Sequence, residues 1–509
     1  MKSIRARLCG LGSAVAFLLI AAKVAAADFE DNLEKTFQVS PGGKFLLDAD
    51  QGSCEVKSGD SDKTLIRVMQ KAKGATKTEA DELFANHEVT FQQDGNTVSV
   101  TAKKKKNQPL FRTSRAYLEV HYLITLPKKF DLQLKTAGGD IAMDDRDGIV
   151  TARTSSGALR MQHVTGAVEA NDAGGDITIV DAGADLSAAT SSGSISVENV
   201  RGKANLSNAG GDIRIGTAEQ SASAKTSSGS ILIKSVQGAL DASNAGGDIT
   251  AEFVGGNINA GTSSGSIRLG QLKGQSTLRN AGGDISIEDA DGNVVAHTTS
   301  GSIKIKAARG SAELRDAGGD ITIGSAGSVK AETTSGSINI ETAKGAVGVK
   351  NAGGNIHVGA AANQVTAKTS SGSIKIGSAR GKINAMDSGG DIEINAAGAA
   401  VQASTTSGTL TANLVAQPAE DCRFEVSGGS VNLTLPKNAG FNLEARSSGG
   451  QVRSDLPVTT TVSGKPNSSV LQGKINAGGP ALFVRSSAGD IRIKGSDAPA
   501  PRVLVEDEK

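Results

Sequence analysis

Residues 208–249 read NAGGDIRIGTAEQSASAKTSSGSILIKSVQGALDASNAGGDI. Two motifs alternate here. AGGDI stands at 209–213 and again at 245–249, with TSSG between them at 226–229. Working outward, AGGDI recurs at 137–141, 173–177, 281–285 and 317–321, with NAGGNI at 351–356 and SGGDI at 388–392. TSSG recurs at 154–157, 190–193, 262–265 and 369–372, with TTSG at 298–301, 333–336 and 405–408. Each motif has a period of about 36 residues, so a glycine returns about every 18. One residue is missing between Gly319 and Gly336. Repetition at a fixed period of this kind marks a solenoid.

The other positions of the unit specify its strands. Two residues after each glycine stands Ile or Leu, as at Leu159, Ile177, Ile195 and Ile213, and Ile179, Val197 or Ile215 follows two further on. That is strand alternation with one buried face. A second turn follows, often with glycine again (Gly166, Gly202, Gly238), and then a second pair such as Leu186/Ala188. The unit is strand, turn, strand, turn. One such rung cannot fold alone. Ordering a residue costs roughly 1–2 kcal/mol, while each large inward side chain returns roughly 1.5–3 kcal/mol. Stacking corrects the deficit, because each strand then pairs with the rungs on both sides. The fold class is therefore all-β, a single elongated parallel β-solenoid of ~18-residue rungs. The absence of proline between Pro127 and Pro418 fits a stack that needs every N–H. Thr154, Thr190 and Thr226 alternate with Asp172, Asn208 and Asn244 before the first glycine, where they can bond the turn backbone and each other.

Composition agrees. The 509 residues include 64 Gly, no Trp and two Tyr, so the interior is built from Ile, Val and Ala. With 54 basic and 53 acidic residues the net charge is +1, which gives no general attraction to nucleic acid. Residues 1–27 read as a signal peptide: Lys2, Arg5 and Arg7, an apolar run from Leu8 to Ala22, then Ala25-Ala26-Ala27 as a cleavage site. No later segment is apolar enough to span a bilayer, and the expected location is exported: periplasmic, cell-surface or secreted. Cys54 and Cys422 lie far apart and sit in strand patterns, which favours two small buried hydrophobes over a disulfide.

Residues 28–135 form an irregular N-terminal β region and cap, 136–416 the regular rungs, 417–494 divergent C-terminal rungs and cap, and 495–509 a loose tail. Strands are expected at 44–47, 65–69, 88–92, 97–101 and 118–126, with a hairpin turn at Asp94-Gly95 and a short helix over 77–87.

No catalytic constellation is legible. Asp140, Asp176, Asp212, Asp248, Asp284, Asp320 and Asp391 recur at one position, but only alternate rungs carry them. Turn capping explains them better than a calcium roll, which needs acidic turns on every rung. His87, His121, His163, His297 and His357 are not spaced as metal ligands, and no cofactor is expected. The one strong charge run is Lys103, Lys104, Lys105 and Lys106, with Arg112 and Arg115 nearby. It reads as a solvated loop, with contact to an anionic lipid or cell-wall polymer as the functional alternative.

The ordered combination of a Phe strand and Pro-Gly turn (FQVSPGG, 37–43), a Gly-x-x-x-Val strand (Gly52 to Val56), an extended strand ending in Leu-Pro (Tyr122 to Pro127) and GGDI/TSSGSI repeats resembles an adhesin-type β-solenoid family of bacteria. The resemblance spans roughly 37–494, and this chain carries more and more regular repeats. It implies a non-enzymatic adhesin or cell-envelope scaffold whose partner is an envelope or extracellular glycan or protein. Two alternatives stand beside it: a polysaccharide-active β-helix enzyme, and an envelope-stress regulator acting through its N-terminal cap.

Overall fold

In the strand Ile177–Ala182 the side chains of Ile177, Ile179 and Ala182 point inward and are buried. In the strand Leu186–Thr190 the inward residues are Leu186, Ala188 and Thr190. The rung that follows repeats them eighteen residues on, with Ile177 beside Ile195 and Leu186 beside Ala204 in parallel register. This relation builds the regular rungs. The computed structural model describes residues 27–59, 62–105, 115–460 and 468–497, so residues 1–26 of the expected signal peptide and residues 498–509 of the expected tail lie outside the described residues.

Each rung bends within its first strand. Ile177 and Ile179 obey the two-residue period, but Val180 and Asp181 both face out before Ala182 turns in. The ladder passes over Val180 and resumes at Asp181 beside Asn199. A third inward column, absent from the two-residue pattern, therefore runs through Val164, Ala182, Val200 and Ala218.

The missing residue is absorbed at one corner. Ala308 stands beside Ala326, but Ser311 stands beside Ser328, so Gly327 alone answers Arg309 and Gly310. The regular offset returns with Val329 beside Val347.

The glycine before each first strand is required by close approach. A Cβ on Gly193 would lie 2.0 Å from the carbonyl oxygen of Gly175 in the rung before. The alternating Thr and Asn column is buried beside it. Asn208 Nδ2 donates to the Gly193 carbonyl (2.7 Å) while its Oδ1 accepts from the Gly210 N–H (3.0 Å). Thr190 Oγ1 donates to the Gly175 carbonyl (3.0 Å). These side chains thus bond glycine backbone and not one another, which corrects half of the sequence expectation. The reason is geometric: the glycine carbonyl of the preceding rung lies within reach and needs a donor.

Both ends depart from chain order. At the N-terminus we label β1 (Ala27–Gln38), β2 (Gly43–Ala49), β3 (Ser53–Gly59), β4 (Lys63–Ala75), α1 (Lys77–Ala85), β5 (His87–Asp94), β6 (Thr97–Lys104), β7 (Tyr117–Pro127), β8 (Phe130–Lys135) and β9 (Ile141–Met143). The first rung, β2 and β3, is not outermost. β2 lies between β6 and β8, and β3 lies between β7 and β9, all parallel. Antiparallel strands close the end, β5 on β6 and β4 on β7, with β1 on β4. The helix α1 begins with a capping box in which Thr76 accepts from the Glu79 N–H and Glu79 accepts from the Thr76 N–H.

The C-terminus repeats the device. The final strands Ala481–Ser486 and Ile491–Ser496 are inserted between earlier ones. Ala481–Ser486 pairs with Cys422–Val426 on one side and Phe441–Ser447 on the other. Ile491–Ser496 pairs with Val431–Pro436 and Val452–Ser454. Val470–Ile475 then covers Phe441–Ser447 antiparallel. The wider motif spacing after residue 417 has this cause: a later rung is threaded between two earlier ones.

Candidate interaction surfaces

The cationic run falls at the N-terminal cap, where it is unequal. Lys103 Nζ lies 2.8 Å from Asp48 and 3.0 Å from Asp50, and the hydrogen bond to Asp48 raises its pKa. Two carboxylates thus occupy its charge. Lys104 and Lys105 leave the end of β6 with exposed side chains. Their backbones are fixed, because the Lys104 N–H donates to Asp50 Oδ2 (3.1 Å) and the Lys105 N–H to the Asn86 carbonyl (3.0 Å). Arg115 is exposed. Lys106 and Arg112 lie outside the described residues.

Beside Lys104 and Lys105 is a cavity of about 340 Å³, walled by Leu83 of α1 and by Ala116 and Leu118, with Tyr117 among its lining residues. Its floor is held by a chain of polar bonds. His87 is buried, with Nδ1 3.0 Å from Gln70 Oε1 and Nε2 3.4 Å from Tyr122 Oη. With Nδ1 donating to Gln70 Oε1, the one Tyr122 hydroxyl proton serves either the Gln51 carbonyl (3.3 Å) or Nε2. Burial, and then the charge of Lys104, lower the His87 pKa, so the imidazole is neutral at physiological pH. No pattern along the chain announces this cavity, because its wall comes from segments far apart in the sequence.

The aspartate column has a structural task. Asp176 Oδ1 accepts from the Ser194 N–H (2.7 Å) and Asp284 Oδ1 from the Ser302 N–H (2.8 Å), each one rung on. Asp140 and Asp248 do the same for Ala158 and Ser266. Those backbone bonds hold the Asp140 and Asp248 carboxyls below the usual range, helped by Arg160 and Arg268. The second turn carries a matching set: Asp185 Oδ1 accepts from the Lys203 N–H and Asn257 Oδ1 from the Gln275 N–H. Among the described residues no group of three His, Cys, Asp or Glu is arranged to hold a metal ion.

His163 does join neighbours along the stack. Its Nδ1 lies 2.7 Å from Asp145 and its Nε2 3.2 Å from Asp181, and Asn199 Nδ2 donates to Asp181 (2.7 Å). The hydrogen bond to Asp145 raises its pKa. Cys54 and Cys422 are free and buried, and burial pushes both thiols up, so neither is a ready nucleophile.

Along the face of the second strands runs a shallow groove. Two depressions of about 420 and 530 Å³ share Lys203 and Asn205 and together reach from Ile149 to Thr277. Its outward column is Ser187, Asn205, Ser223, Asp241, Asn259 and Thr277. Hydroxyl and amide groups thus recur at the inter-strand spacing of ~4.8 Å, interrupted by the carboxylates of Glu169 and Asp241. No helix among the described residues is long and apolar enough to cross a membrane.

The registers define a parallel β-solenoid closed by antiparallel caps. The chain belongs to the Toastrack DUF4097 family, which it matches over residues 46–269, 241–377 and 343–494. No curated protein matches it. Among solved structures it is similar to a "putative adhesin" from Bacteroides fragilis, at 15% identity and a TM-score of 0.19, covering 61% of this chain and 97% of that one. A "putative cell adhesion protein" from Clostridium sporogenes is 8% identical with a TM-score of 0.16, covering 92% and 100%. A "putative adhesin" from Parabacteroides merdae is 11% identical with a TM-score of 0.23, covering 61% and 95%.

Proposed function

We propose that the protein is an exported, non-enzymatic interaction protein, an adhesin or cell-envelope scaffold that presents one surface many times over. The observation that carries this reading is the groove from Ile149 to Thr277, where outward hydrogen-bonding side chains, mostly Ser, Thr and Asn with Glu169 and Asp241 among them, recur rung after rung. Repetition suits a repetitive ligand, because weak contacts at many positions add as linked sites do. A glycan or an extended envelope protein fits. The aspartates that an enzyme would use are bonded to the backbone of the next rung instead. Lys104 and Lys105 offer a second contact, toward anionic lipid or cell-wall polymer.

The test is binding of the purified protein to intact cells, immobilised glycans and envelope fractions. Saturable binding that Asn205→Arg with Asn259→Arg weakens at least tenfold is expected. Loss of binding nowhere, or turnover of a polysaccharide, would overturn the reading. Protease accessibility on intact and permeabilised cells reports the compartment: cleavage on intact cells favours an adhesin, and protection favours a periplasmic scaffold.

A further inference from the structure

We propose that the cavity beside α1 binds a single-chain anionic amphiphile, with its acyl chain against Leu83, Ala116 and Leu118 and its carboxylate or phosphate head at Lys104 and Lys105. This goes beyond the adhesive reading and stands without it. Three observations converge on the one site. The wall is apolar on one side, made by α1 and the start of β7. Lys104 and Lys105, adjacent in the chain, line the same cavity, as an amphiphile requires. Neither lysine is spent as Lys103 is, since Lys103 takes up both Asp48 and Asp50.

Size and polarity set the class of ligand. At ~30 Å³ for each water-sized unit, a cavity of about 340 Å³ holds roughly eleven heavy atoms, the scale of a medium acyl chain. The floor brings no anion to repel the head group. None of its lining residues is acidic, burial lowers the His87 pKa, and the Asp50 carboxylate is bound to Lys103 Nζ and to the Lys104 N–H. The site is also preformed. The Gln70–His87–Tyr122–Gln51 bonds hold the floor, and the capping box holds the start of α1. Preformed cavities of mixed apolar and polar lining are the usual small-ligand sites. The same chemistry comes from two sources, a soluble fatty acid and the anionic lipid of a membrane.

The experiment titrates the full-length protein with dansyl-undecanoic acid and follows the rise in fluorescence. Saturable binding is expected, with decanoate displacing the probe at least tenfold better than decyltrimethylammonium, which has the same chain and the opposite head. Lys104→Glu with Lys105→Glu, both exposed and outside the core, should weaken the probe at least tenfold, and Lys225→Glu, remote on the regular stack, should leave it unchanged. Leu83→Glu should abolish uptake at an unaltered melting temperature of the solenoid. Absence of saturable binding, equal competition by the two heads, or indifference to the double lysine change would overturn the site. Phosphatidylglycerol vesicles tell the sources apart. Vesicle binding that decanoate competes away places a membrane lipid in the cavity, and vesicle binding without uptake of the soluble probe overturns the cavity in favour of a surface contact.

Discussion

Asn280 holds four backbone groups at once: it donates to the Gly265 (2.8 Å) and Asp284 (3.4 Å) carbonyls and accepts from the N–H groups of Gly282 and Gly283 (3.2 Å each). It is buried, so water cannot replace it. Asn280→Ala is expected to cost about 1–3 kcal/mol, the penalty for leaving buried polar groups unpaired, as read from the urea midpoint. Gly193→Ala is expected to cost more, about 4 kcal/mol or beyond, because the new methyl meets the Gly175 carbonyl at 2.0 Å and that atom is backbone. Loss of soluble protein, or a melting temperature lowered by many degrees, is the expected result. His163 contributes with a definite sign. Its pKa is raised by Asp145, so its stabilisation is complete below the unfolded value of about 6.5 and fades as pH rises through the folded value. The difference in urea midpoint between the native protein and His163→Gln should therefore shrink from pH 5.5 to pH 8.5, and a constant difference would remove the claim. At this scale the sequence is readable where the period is two. Ile177, Ile179, Leu186 and Ala188 follow it. Ala182 does not, since the corner at Val180 inserts an extra outward residue, and Thr190 is hidden by being polar.

The rung is the unit that sequence reveals best, because its identity is repeated and each copy corroborates the others. A consequence follows for deletions. Removing residues 213–248 takes out two rungs and restores the Gly-Asp-Ile junction. The protein should fold with an unchanged circular dichroism spectrum and a longest dimension about 10 Å shorter, two strand spacings, as measured by small-angle scattering. A deletion of nine residues should not fold, since it sets first strands beside second strands. The elements at the cap were less readable. The hairpin at Asp94-Gly95 and the helix over Lys77–Ala85 carry local signals, a positive φ at Gly95 and the Thr76–Glu79 box. β1 carries none. Its side chains are mostly exposed and five of the twelve are charged, and its antiparallel ladder to β4 makes it a strand. The lysine run was visible as charge, but the division between Lys103, whose ammonium is paired, and Lys104 and Lys105, whose ammonium groups pair with neither Asp48 nor Asp50, depends on where β2 and the residue after it place those carboxylates.

Across the whole molecule, stacking order was illegible because parallel rungs of similar sequence accept one another in many orders. What selects the threaded order is the pair of caps. The strands Ala481–Ser486 and Ile491–Ser496 each pair on both sides. Truncation after Pro457 would remove both and leave the ladder edges of Cys422–Val426 and Val431–Pro436 open. Open parallel edges recruit other chains, so this truncation should show mass increasing with concentration in light scattering, whereas truncation after Asp497 should remain as the full chain. The threading also decides how the molecule would answer a pull. An end rung lying outermost can be peeled, one hydrogen bond breaking after another at low force. Here the rungs nearest both chain ends are gripped on two sides, and to draw either out the load must shear two ladders together. Tension from the N-terminus first strips β1, which pairs only with β4, and then, as tension from the C-terminus does at once, meets a rung held in two ladders that shields the regular rungs between from unravelling.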